Sequence, residues 1–573
     1  MTFKENKIVL THPKSHLIYG FRGAGCFVVP PHYQPKCFDG DTLLWLLPAN
    51  PNGGSAYKIS CGEYHIKGGV ISFLGEYSKE EFPPRPCCDF LGQRFSLDIE
   101  NGEDFQRAYA CFYWDNLLPQ IAERTFLRRK RDIRDGYVLS TLNKKAYAGT
   151  YPAVDHEFHM KGRLAVGGGA EAALIRRMLV LQMKVMREDK TGQSKNLCAV
   201  QPNGRREYDV WRKSKDRSQK AQMFRITANI EFVEGMYNYY CLTKDLDFLR
   251  TNITAMEKNC AYIEKFVTVD GFLDSHVYYE DQVIKDGAVS QAQCFAVNSL
   301  RLMTKLEGLL QREKMAKRYD NIAKFLGDTI PKDFPKGFWD GEKGRFIDWI
   351  HSDGKAHDRV HLLANQLPEL FGIGIAKQHE KSRQTIEKYG DIWRKFPSFV
   401  AAKIEDYGDN EIGTGGPYDL CAAGRYWCWD AEYLAFKGDG ASLARQLKQV
   451  SAQAKLDGYL MGERYDMNYV YYNTGADGAR NWHGASLYYE YPNVFLYVLV
   501  CCYLGLRRGF DCDLVVAPLV EKGRVRHEGY GIEYTKHSDG SLELLNISGR
   551  EILVDLPQFG KRVRVEIGGT VRV

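Results

Sequence analysis

The sequence predicts a multidomain protein of mixed α and β structure: an N-terminal antiparallel β-sandwich, a central toroid of helical hairpins and a small C-terminal β unit. Three observations predict this architecture. The chain of 573 residues is too long to fold around a single small hydrophobic core. Short strand-like runs fill both ends of the chain, and apolar residues at helical spacing fill the middle. We place the domains at residues 1–165, 166–508 and 509–573.

The N-terminal domain is predicted from short apolar runs separated by Gly, Pro and Asn, such as 25–29, 42–47 and 69–74. Regular short strands with such punctuation favour an antiparallel sandwich. Residues 105–131 are more helical and basic, and they predict a helix that links this domain to the next.

Helical periodicity begins near residue 170, where Leu174, Met178, Leu181 and Val185 fall on one helix face. Further helical segments are predicted at 219–241, 249–267, 289–310, 313–328, 359–374, 378–396, 419–436, 440–454 and 492–506. Tight turns alternate with long loops, which predicts hairpins arranged as a toroid. The long loops, predicted to form the working face, are 190–218, 268–288, 330–358, 403–418 and 455–491. A further helix pair, if regular, would lie within 103–165.

After Gly505 the strand pattern returns, in runs at 512–518, 531–534, 542–546, 551–554 and 563–567. Alternation together with the turn at 537–540 predicts the C-terminal β unit.

The composition of the chain limits the kinds of molecule that the protein is predicted to bind. The net charge is +6, and the one dense basic block is Arg128–Arg131, so nucleic acid is not predicted. The longest apolar run, 494–504, is too short for a membrane span. The 15 cysteines are scattered, and the chain begins without an apolar leader, which favours a reducing, cytoplasmic location. We predict no cofactor and no metal site; a calcium ion held by loop carboxylates and the oligomeric state stay open.

Aromatic residues make up 13% of the chain, with 35 Tyr and 9 Trp. Such side chains stack on the C–H faces of sugar rings and hydrogen-bond their hydroxyls, although large helical cores use them too. A carbohydrate is therefore the predicted partner.

The stretch 270–310 predicts a reactive loop followed by a helix that supports it. Glycosidic cleavage needs one carboxylic acid to protonate the leaving oxygen and a second carboxylate to activate water or attack. In this loop Asp281 is the first candidate for the acid and Glu280 the alternative. Glu463 is the candidate base, since Gly462 permits a sharp turn and Arg464 can hold a carboxylate ionised. A solvated acidic loop and a surface Glu-Arg pair are the ordinary alternatives.

Further residues are predicted to bind substrate. Asp209 ranks second as the acid and first as a ligand for sugar hydroxyls. For each tryptophan, core packing is at least as good an explanation as stacking on sugar. The predicted binding residues are Tyr208, Asp209, Trp211, Arg217, Tyr279, Trp427, Trp429, Arg464, Tyr465, Trp482 and His483.

Short sequence segments resemble motifs of a known superfamily. They are Y-C-L-T-K-D-L-D-F-L at 240–249, F-D-C-D-L-V-V-A-P at 510–518, and G-G-P-Y-D at 415–419 followed by R-Y-W-C-W at 425–429. Together with the domain order, they are similar to the six-hairpin glycosidases, a group of (α/α)6-barrel hydrolases and phosphorylases that includes glucoamylase-, α-L-rhamnosidase- and disaccharide phosphorylase-like enzymes. The resemblance implies six hairpins, an acid in loop 268–288 and a base in loop 455–491. The segment around Glu463 also resembles the G..E.Y segment that carries the base in this group.

The sequence therefore predicts a glycoside hydrolase, inverting and exo-acting, with Asp281 or Glu280 as acid and Glu463 as base. A disaccharide phosphorylase is the nearest alternative, with 413–416 as a backbone nest for phosphate. A non-catalytic carbohydrate-binding protein, or a sugar epimerase or lyase that uses His483 or Tyr465, is the other alternative.

Overall fold

The structure is a computed structural model of the chain. It describes residues 94–113, 116–117, 120, 138, 155–200, 205–417, 419–459, 461–466 and 488–573 with their side chains. Elsewhere it describes only the backbone of the strands and helices named below. Within these residues, no helix combines the length and the apolar character needed to cross a membrane.

Thirteen α-helices occupy the described part of the chain. They are α1 Gly102–Phe112, α2 His156–Val166, α3 Gly168–Arg187, α4 Thr227–Thr243, α5 Leu246–Glu264, α6 Ser290–Leu309, α7 Glu313–Thr329, α8 Leu362–Leu370, α9 Ala376–Lys388, α10 Gly390–Trp393, α11 Gly424–Lys437, α12 Gly440–Leu456 and α13 Glu490–Tyr497. Short π-helices continue α1 as Tyr113–Leu117 and α13 as Val498–Tyr503.

Six of the helices contact one another in a closed order: α2, α4, α6, α8, α11, α13 and again α2. Each of them also contacts one of α3, α5, α7, α9, α12 and α1. Burial distinguishes the first six, which we call the inner helices, from the second six, the outer helices. Every residue of α2 is buried, as expected for a helix covered on all sides, whereas α9 buries only Gln378 and Ser382.

Tight turns follow four of the six helices, at residues 167, 244–245, 310–312 and 438–439. Long segments precede α4, α6, α8 and α13, at 188–226, 265–289, 330–361 and 457–489. The sequence predicted this alternation, and its consequence is that the loops converge on the N-terminal ends of the inner helices.

Helix α1 lies in the segment that was predicted to be a linker. It packs against α12 and α13, because Phe105, Ala108, Tyr109 and Phe112 are fully or almost fully buried. Helix α2 is also part of the closed order, although all but its last residue lie before the predicted boundary. The domain boundaries at 165 and 508 stay predictions.

Strands at the two ends of the chain form antiparallel sheets. One four-stranded sheet contains Thr2–Lys4, Lys7–Thr11, Ile18–Arg22 and Gly25–Val28, and another contains Ser55–Ile59, Gly62–Lys67, Val70–Gly75 and Glu81–Phe82. Their packing as a sandwich stays a prediction. The run predicted as a strand at 42–47 lies outside the described residues.

The C-terminal strands share a sheet with an N-terminal segment. Its order is Thr570–Arg572, Leu542–Asn546, Ile532–Lys536, Gly523–His527, Gln93–Ile99 and Asp89–Phe90. A second sheet contains Leu506–Arg508, Leu514–Val516, Ile552–Leu556 and Lys561–Val565. Shorter strands lie in the connecting loops: Ile121–Ala122, Tyr137–Val138, Tyr151–Pro152, Ala199–Val200, Arg206–Glu207, Val210–Lys213, Lys220–Met223, Ala288–Val289, Trp339–Asp340, Arg345–Phe346, Trp349–Ile350, Ala356–His357, Gly462–Tyr465 and Trp482–Ser486.

Candidate functional site

Charged side chains from three inner helices meet where the long loops converge. Asp155 directly precedes α2, Arg425 lies in the first turn of α11, and Glu490 is the first residue of α13. Arg425 binds Glu490 through Nε–Oε1 and Nη2–Oε2 contacts of 3.1 Å each, and its Nη2 lies 3.7 Å from Asp155 Oδ1. All three side chains are buried, so this ion cluster depends on its internal pairing.

Arg464 joins the same cluster from a loop strand. Its Nη1 donates to Glu490 Oε2 at 2.9 Å, and its Nε lies 3.4 Å from Asp419 Oδ1. Burial alone would raise the pKa of Glu490, but the guanidinium groups of Arg425 and Arg464 outweigh it and hold that pKa below its usual value. Glu490 is therefore an ionised anchor between two arginines.

Asp419 is the carboxyl that connects the predicted acid and base. It is fully buried, and its Oδ2 accepts a hydrogen bond from the Gln282 backbone N–H at 2.7 Å. Burial raises the pKa of Asp419 to about 7; the charges of Asp281 and Glu463 add to this rise, and Arg464 opposes it. Asp281 and Glu463 thus lie within electrostatic range of one shared group.

Asp281 lies at the more accessible side of this cluster, with a side chain that is 24% exposed. Arg212 donates to both of its oxygens, from Nε at 3.0 Å and from Nη2 at 3.3 Å. Arg212 belongs to the hairpin Val210–Lys213, which is paired with Lys220–Met223. The hairpin therefore positions Asp281 from the loop that precedes α4.

Glu280 is fully buried and held on several sides. Gln291 Nε2 donates to both of its oxygens at 2.8 and 2.9 Å, His361 Nε2 lies 2.6 Å from Oε1, and Lys285 Nζ lies 3.3 Å from Oε1. Burial alone would raise its pKa, but the charge of Lys285 and the hydrogen bond from His361 hold the pKa well below its usual value. Lys285 also binds the buried Asp348 at 2.7 Å. Glu280 is an ionised group of the loop's interior.

Glu463 is buried on the strand Gly462–Tyr465, which pairs with Trp482–Ser486. Its backbone carbonyl accepts from Arg464 Nη1 at 2.9 Å. Burial raises the pKa of Tyr488, and the charges of Asp155 and Glu463 add to this rise. Glu463 therefore lies among Asp419, Tyr488 and the arginine cluster rather than in an exposed surface pair.

An open cavity of about 630 Å³ is lined by residues 205–212. Trp211, 48% exposed, is the large aromatic side chain that this segment presents to solvent; Lys220 Nζ lies 5.2 Å from its ring centroid. Asp209 accepts from Gln222 Nε2 at 2.7 Å and from Lys195. Tyr208 donates to the Val185 carbonyl at 2.5 Å, and burial raises its pKa to about 12.

Other predicted binding residues are buried. Trp427 is fully buried and donates to Gln446 Oε1 at 3.0 Å, so it has no exposed face for a sugar ring. Trp429 donates to the buried Tyr279 hydroxyl at 3.1 Å, and Tyr465 donates to Asp457 at 2.6 Å.

The three remaining predicted residues are Arg217, Trp482 and His483. Arg217 lies in an exposed turn. The side chains of Trp482 and His483 lie outside the described residues.

The sequence interpretation missed Asp155, Arg425 and Glu490 as site residues, and it named Asp419 only within the phrase 415–419. A usable signal was present: each of the first three is a charged residue at the start of a helix that is otherwise buried. Among the described residues, no three His, Cys, Asp or Glu side chains are grouped closely enough to hold a metal ion.

The fold is similar to that of solved glycosidase structures. No family model and no curated protein sequence matches the chain. Among solved structures, a GH78-family rhamnosidase from Bacillus sp. GL1 matches with a TM-score of 0.55 and 14% identity, over 85% of this chain and 45% of that one.

A protein described as a sialidase matches with a TM-score of 0.54 and 13% identity, over 80% of this chain and 38% of that one. The α-L-rhamnosidase from Dictyoglumus thermophilum matches with a TM-score of 0.51 and 12% identity, over 88% and 55%. The chain spans about half the length of these proteins or less. At such identities the likeness is one of fold, and at that level it confirms the predicted resemblance to the six-hairpin glycosidases.

Proposed function

We propose that the protein is a glycoside hydrolase in which Asp281 protonates the glycosidic oxygen and Glu463 activates a water molecule. One observation carries the proposal: the segments that bear these two carboxylates, distant in sequence, meet at the buried Asp419, which accepts from the Gln282 N–H, next to Asp281, and from Arg464, next to Glu463. Two carboxyl groups that flank the scissile bond are what glycosidic cleavage requires.

Asp281 is favoured over Glu280 because it is accessible and because Glu280 is held ionised by its neighbours. Glu280 is fully buried, and Lys285 and His361 hold its pKa well below the usual range, so it is ionised near neutral pH and cannot supply a proton. Asp281 is partly exposed. Asp419, with a pKa of about 7, sets the local charge beside both reacting groups and is assigned as a positioning residue.

The finer mechanism is also part of the proposal. We assign inversion, which requires carboxyl groups about 6.5–9.5 Å apart, with room for water between them; a separation of about 5 Å would give retention. We also propose exo action, and the charged cluster that joins the N-terminal ends of α2, α11 and α13 at one end of the helical assembly supports it. That assembly is proposed to be a complete (α/α)6 toroid between an N-terminal sandwich and a C-terminal β unit, as the closed contact order supports.

The substrate is proposed to be an oligosaccharide or glycoside. The exposed indole of Trp211 is the stacking platform that the described site offers to a sugar ring. The neighbours described as α-L-rhamnosidase and sialidase make α-L-rhamnosides and sialosides the first compounds to test.

Hydrolysis is favoured over phosphorolysis by the hydrogen bonds of the glycine-rich turn. The Gly413 and Gly415 N–H groups donate to the backbone and side-chain oxygens of Gln282 at 2.7 and 2.9 Å, and the Gly416 N–H donates to the Gly413 carbonyl at 3.0 Å. A phosphate nest needs such amides to be free.

A panel of aryl glycosides, assayed with and without phosphate, tests the proposal. We expect Asp281→Asn and Glu463→Gln to lower kcat/KM by about 10²–10⁴-fold, the usual contribution of an acid or base. Glu280→Gln tests the alternative acid, and Asp247→Asn, at an exposed position of α5, is the control. If Asp281 is the acid, the loss in Asp281→Asn shrinks for leaving groups that need no protonation.

The anomer released first, followed by NMR, distinguishes inversion from retention. Phosphate-dependent cleavage would show a phosphorylase. Absence of turnover on every glycoside, with sugar binding retained in Glu463→Gln, would show a non-catalytic binding protein.

A further inference from the structure

A second cavity lies away from the carboxylate cluster, between the segment that follows α7 and the first turns of α9. Its volume is about 650 Å³, within the range of ligand sites. It is lined by Pro331, Lys332, Asp333, Phe334, Pro335, Lys336, Trp339, Ile375, Lys377, Gln378 and Lys381. We call it the lysine groove. None of these residues belongs to the candidate site.

The groove has an excess of positive charge. Four lysines line it, against the single carboxylate of Asp333. Elsewhere in the described structure many cations are matched by an anion, as in the contacts of Lys343 and Arg345 with Asp358 at 2.6 and 2.7 Å. Lys336, Lys377 and Lys381 have no such ion pair among the described residues. A concave surface of one sign attracts ligands of the other sign.

The walls of the groove are held by hydrogen bonds. Gln378 Nε2 donates to the Pro331 carbonyl at 2.7 Å, which joins α9 to the loop. The Trp339 N–H donates to the Lys332 carbonyl at 3.0 Å, and the Phe334 N–H donates to the Trp339 carbonyl at 2.9 Å. A Cβ at Gly337 would lie 2.2 Å from the Thr329 carbonyl oxygen, so the loop is closely packed at that point. The lysines therefore extend from a shaped support.

Apolar side chains lie beside the charges. Ile375 is 61% exposed and Phe334 is 39% exposed. The matching ligand has several anionic groups together with apolar faces. An acidic oligosaccharide fits this description, because its carboxylates match the lysines and the C–H faces of its rings match Ile375 and Phe334.

We propose that the lysine groove binds an acidic oligosaccharide chain and holds it remote from the point of cleavage. This proposal rests on the proposed function, since it names carboxylated glycans as a substrate class for the same protein. Binding at the groove is nevertheless separable from catalysis, because none of its residues contributes to the carboxylate cluster.

Binding of oligogalacturonate to the full-length protein, measured by calorimetry at low and high salt, tests the proposal. The variant Lys336→Gln/Lys377→Gln/Lys381→Gln is expected to bind about tenfold more weakly, since exposed ion pairs contribute modestly and roughly additively. Added salt should weaken binding to the parent and have less effect on the variant. The control Lys314→Gln/Lys317→Gln/Lys448→Gln makes the same charge change at exposed positions of α7 and α12 and should bind as the parent does.

Two further ligands identify which chemical groups the groove recognises. Methyl-esterified oligogalacturonate keeps the rings and loses the charge, so it should bind weakly; equal binding would overturn the role of the lysines. A single-stranded oligonucleotide of equal charge should bind more weakly than oligogalacturonate; equal or tighter binding would overturn the assignment to a glycan. If the groove variant and the control lost affinity for oligogalacturonate equally, the effect would be one of net charge, and the groove would not be the binding site.

Activity on a small neutral aryl glycoside separates this proposal from the proposed function. The groove variant should cleave it as the parent does. A protein that cleaves no glycoside at all would refute the proposed function, whereas unchanged oligogalacturonate binding in the groove variant would refute the groove alone.

Discussion

Asp419 owes its chemistry to burial and to charged groups from two other segments of the chain. Burial raises its pKa to about 7, Asp281 and Glu463 raise it further, and Arg464 opposes them. A carboxyl with a raised pKa binds more protons in the folded than in the unfolded protein between its two pKa values. Its contribution to the free energy of unfolding is therefore present at low pH and is lost as the pH rises through about 7.

Asp419→Asn tests this sign. An amide does not titrate, so the stability of the variant relative to the parent should increase as the pH rises from about 4 to about 8, with a slope of at most about 1.4 kcal/mol per pH unit for one proton. Urea unfolding at a series of pH values measures it. Asp247→Asn, at an exposed position of α5, is the matched control. A constant stability difference between Asp419→Asn and the parent would mean that Asp419 is ionised throughout this range.

Some residues of the candidate site could be proposed from the sequence, and others could not. Glu463 and Asp281 could be proposed because each lies in a loop that breaks a helical pattern. Arg425 and Glu490 were marked only by a charge at the start of an apolar helix, and their pairing could not be proposed because it forms only when the helices assemble. Trp427 was proposed for its chemistry alone, yet its burial against Gln446 depends on tertiary packing that no local pattern contains.

At the scale of helices, close approach decides which residues are tolerated. A Cβ at Gly162 of α2 would lie 2.4 Å from Asn493 Oδ1 and 2.9 Å from the Asn493 Cα of α13. Backbone at that distance cannot move aside as a flexible side chain would. Gly308 of α6 has no atom within 4 Å of the corresponding position.

We therefore expect opposite effects from the same substitution at these two glycines. Gly162→Ala should lower the free energy of unfolding by about 1–3 kcal/mol through overpacking. Gly308→Ala should raise it by up to about 1 kcal/mol, because alanine is the better helix former. Thermal unfolding of both variants measures the difference. An unchanged Tm in Gly162→Ala would show that α2 and α13 are less closely packed than described.

The sequence predicted the positions of individual helices better than the order in which they contact one another. The periodicity of residues 170–187, 289–310 and 440–454 matched α3, α6 and α12 closely. Helix α1 was predicted as part of a linker helix at 105–131. Helix α2 was not assigned a range, because it is buried on every side and so has no polar face to create a period. The ring order requires contacts between α13 and α2, which are distant in sequence and leave no local signal.

At the scale of the whole molecule, the C-terminal strands are connected to the rest in two ways. Gly523–His527 pairs antiparallel with Phe95–Ile99. Behind this sheet, His527 Nε2 lies 2.8 Å from the Ala165 carbonyl, and the Tyr530 hydroxyl donates to the Leu164 carbonyl at 2.9 Å. These contacts reach the C-terminal end of α2. Alternating sequence predicted the strands, but it could not predict a partner more than four hundred residues away.

This connection predicts cooperative unfolding of the C-terminal strands with the helices. Val525 is fully buried in the shared sheet, and Val525→Ala should cost about 2–3 kcal/mol by opening a cavity. We expect amide hydrogen exchange to accelerate in strand 93–99 and in α2 as well as in 523–546, because they open as one unit. Val563→Ala, at a partly buried position of the other sheet, is the milder control. If exchange increased only after residue 509, the C-terminal unit would be a separate domain, and the contacts of His527 and Tyr530 with α2 would contribute little to stability.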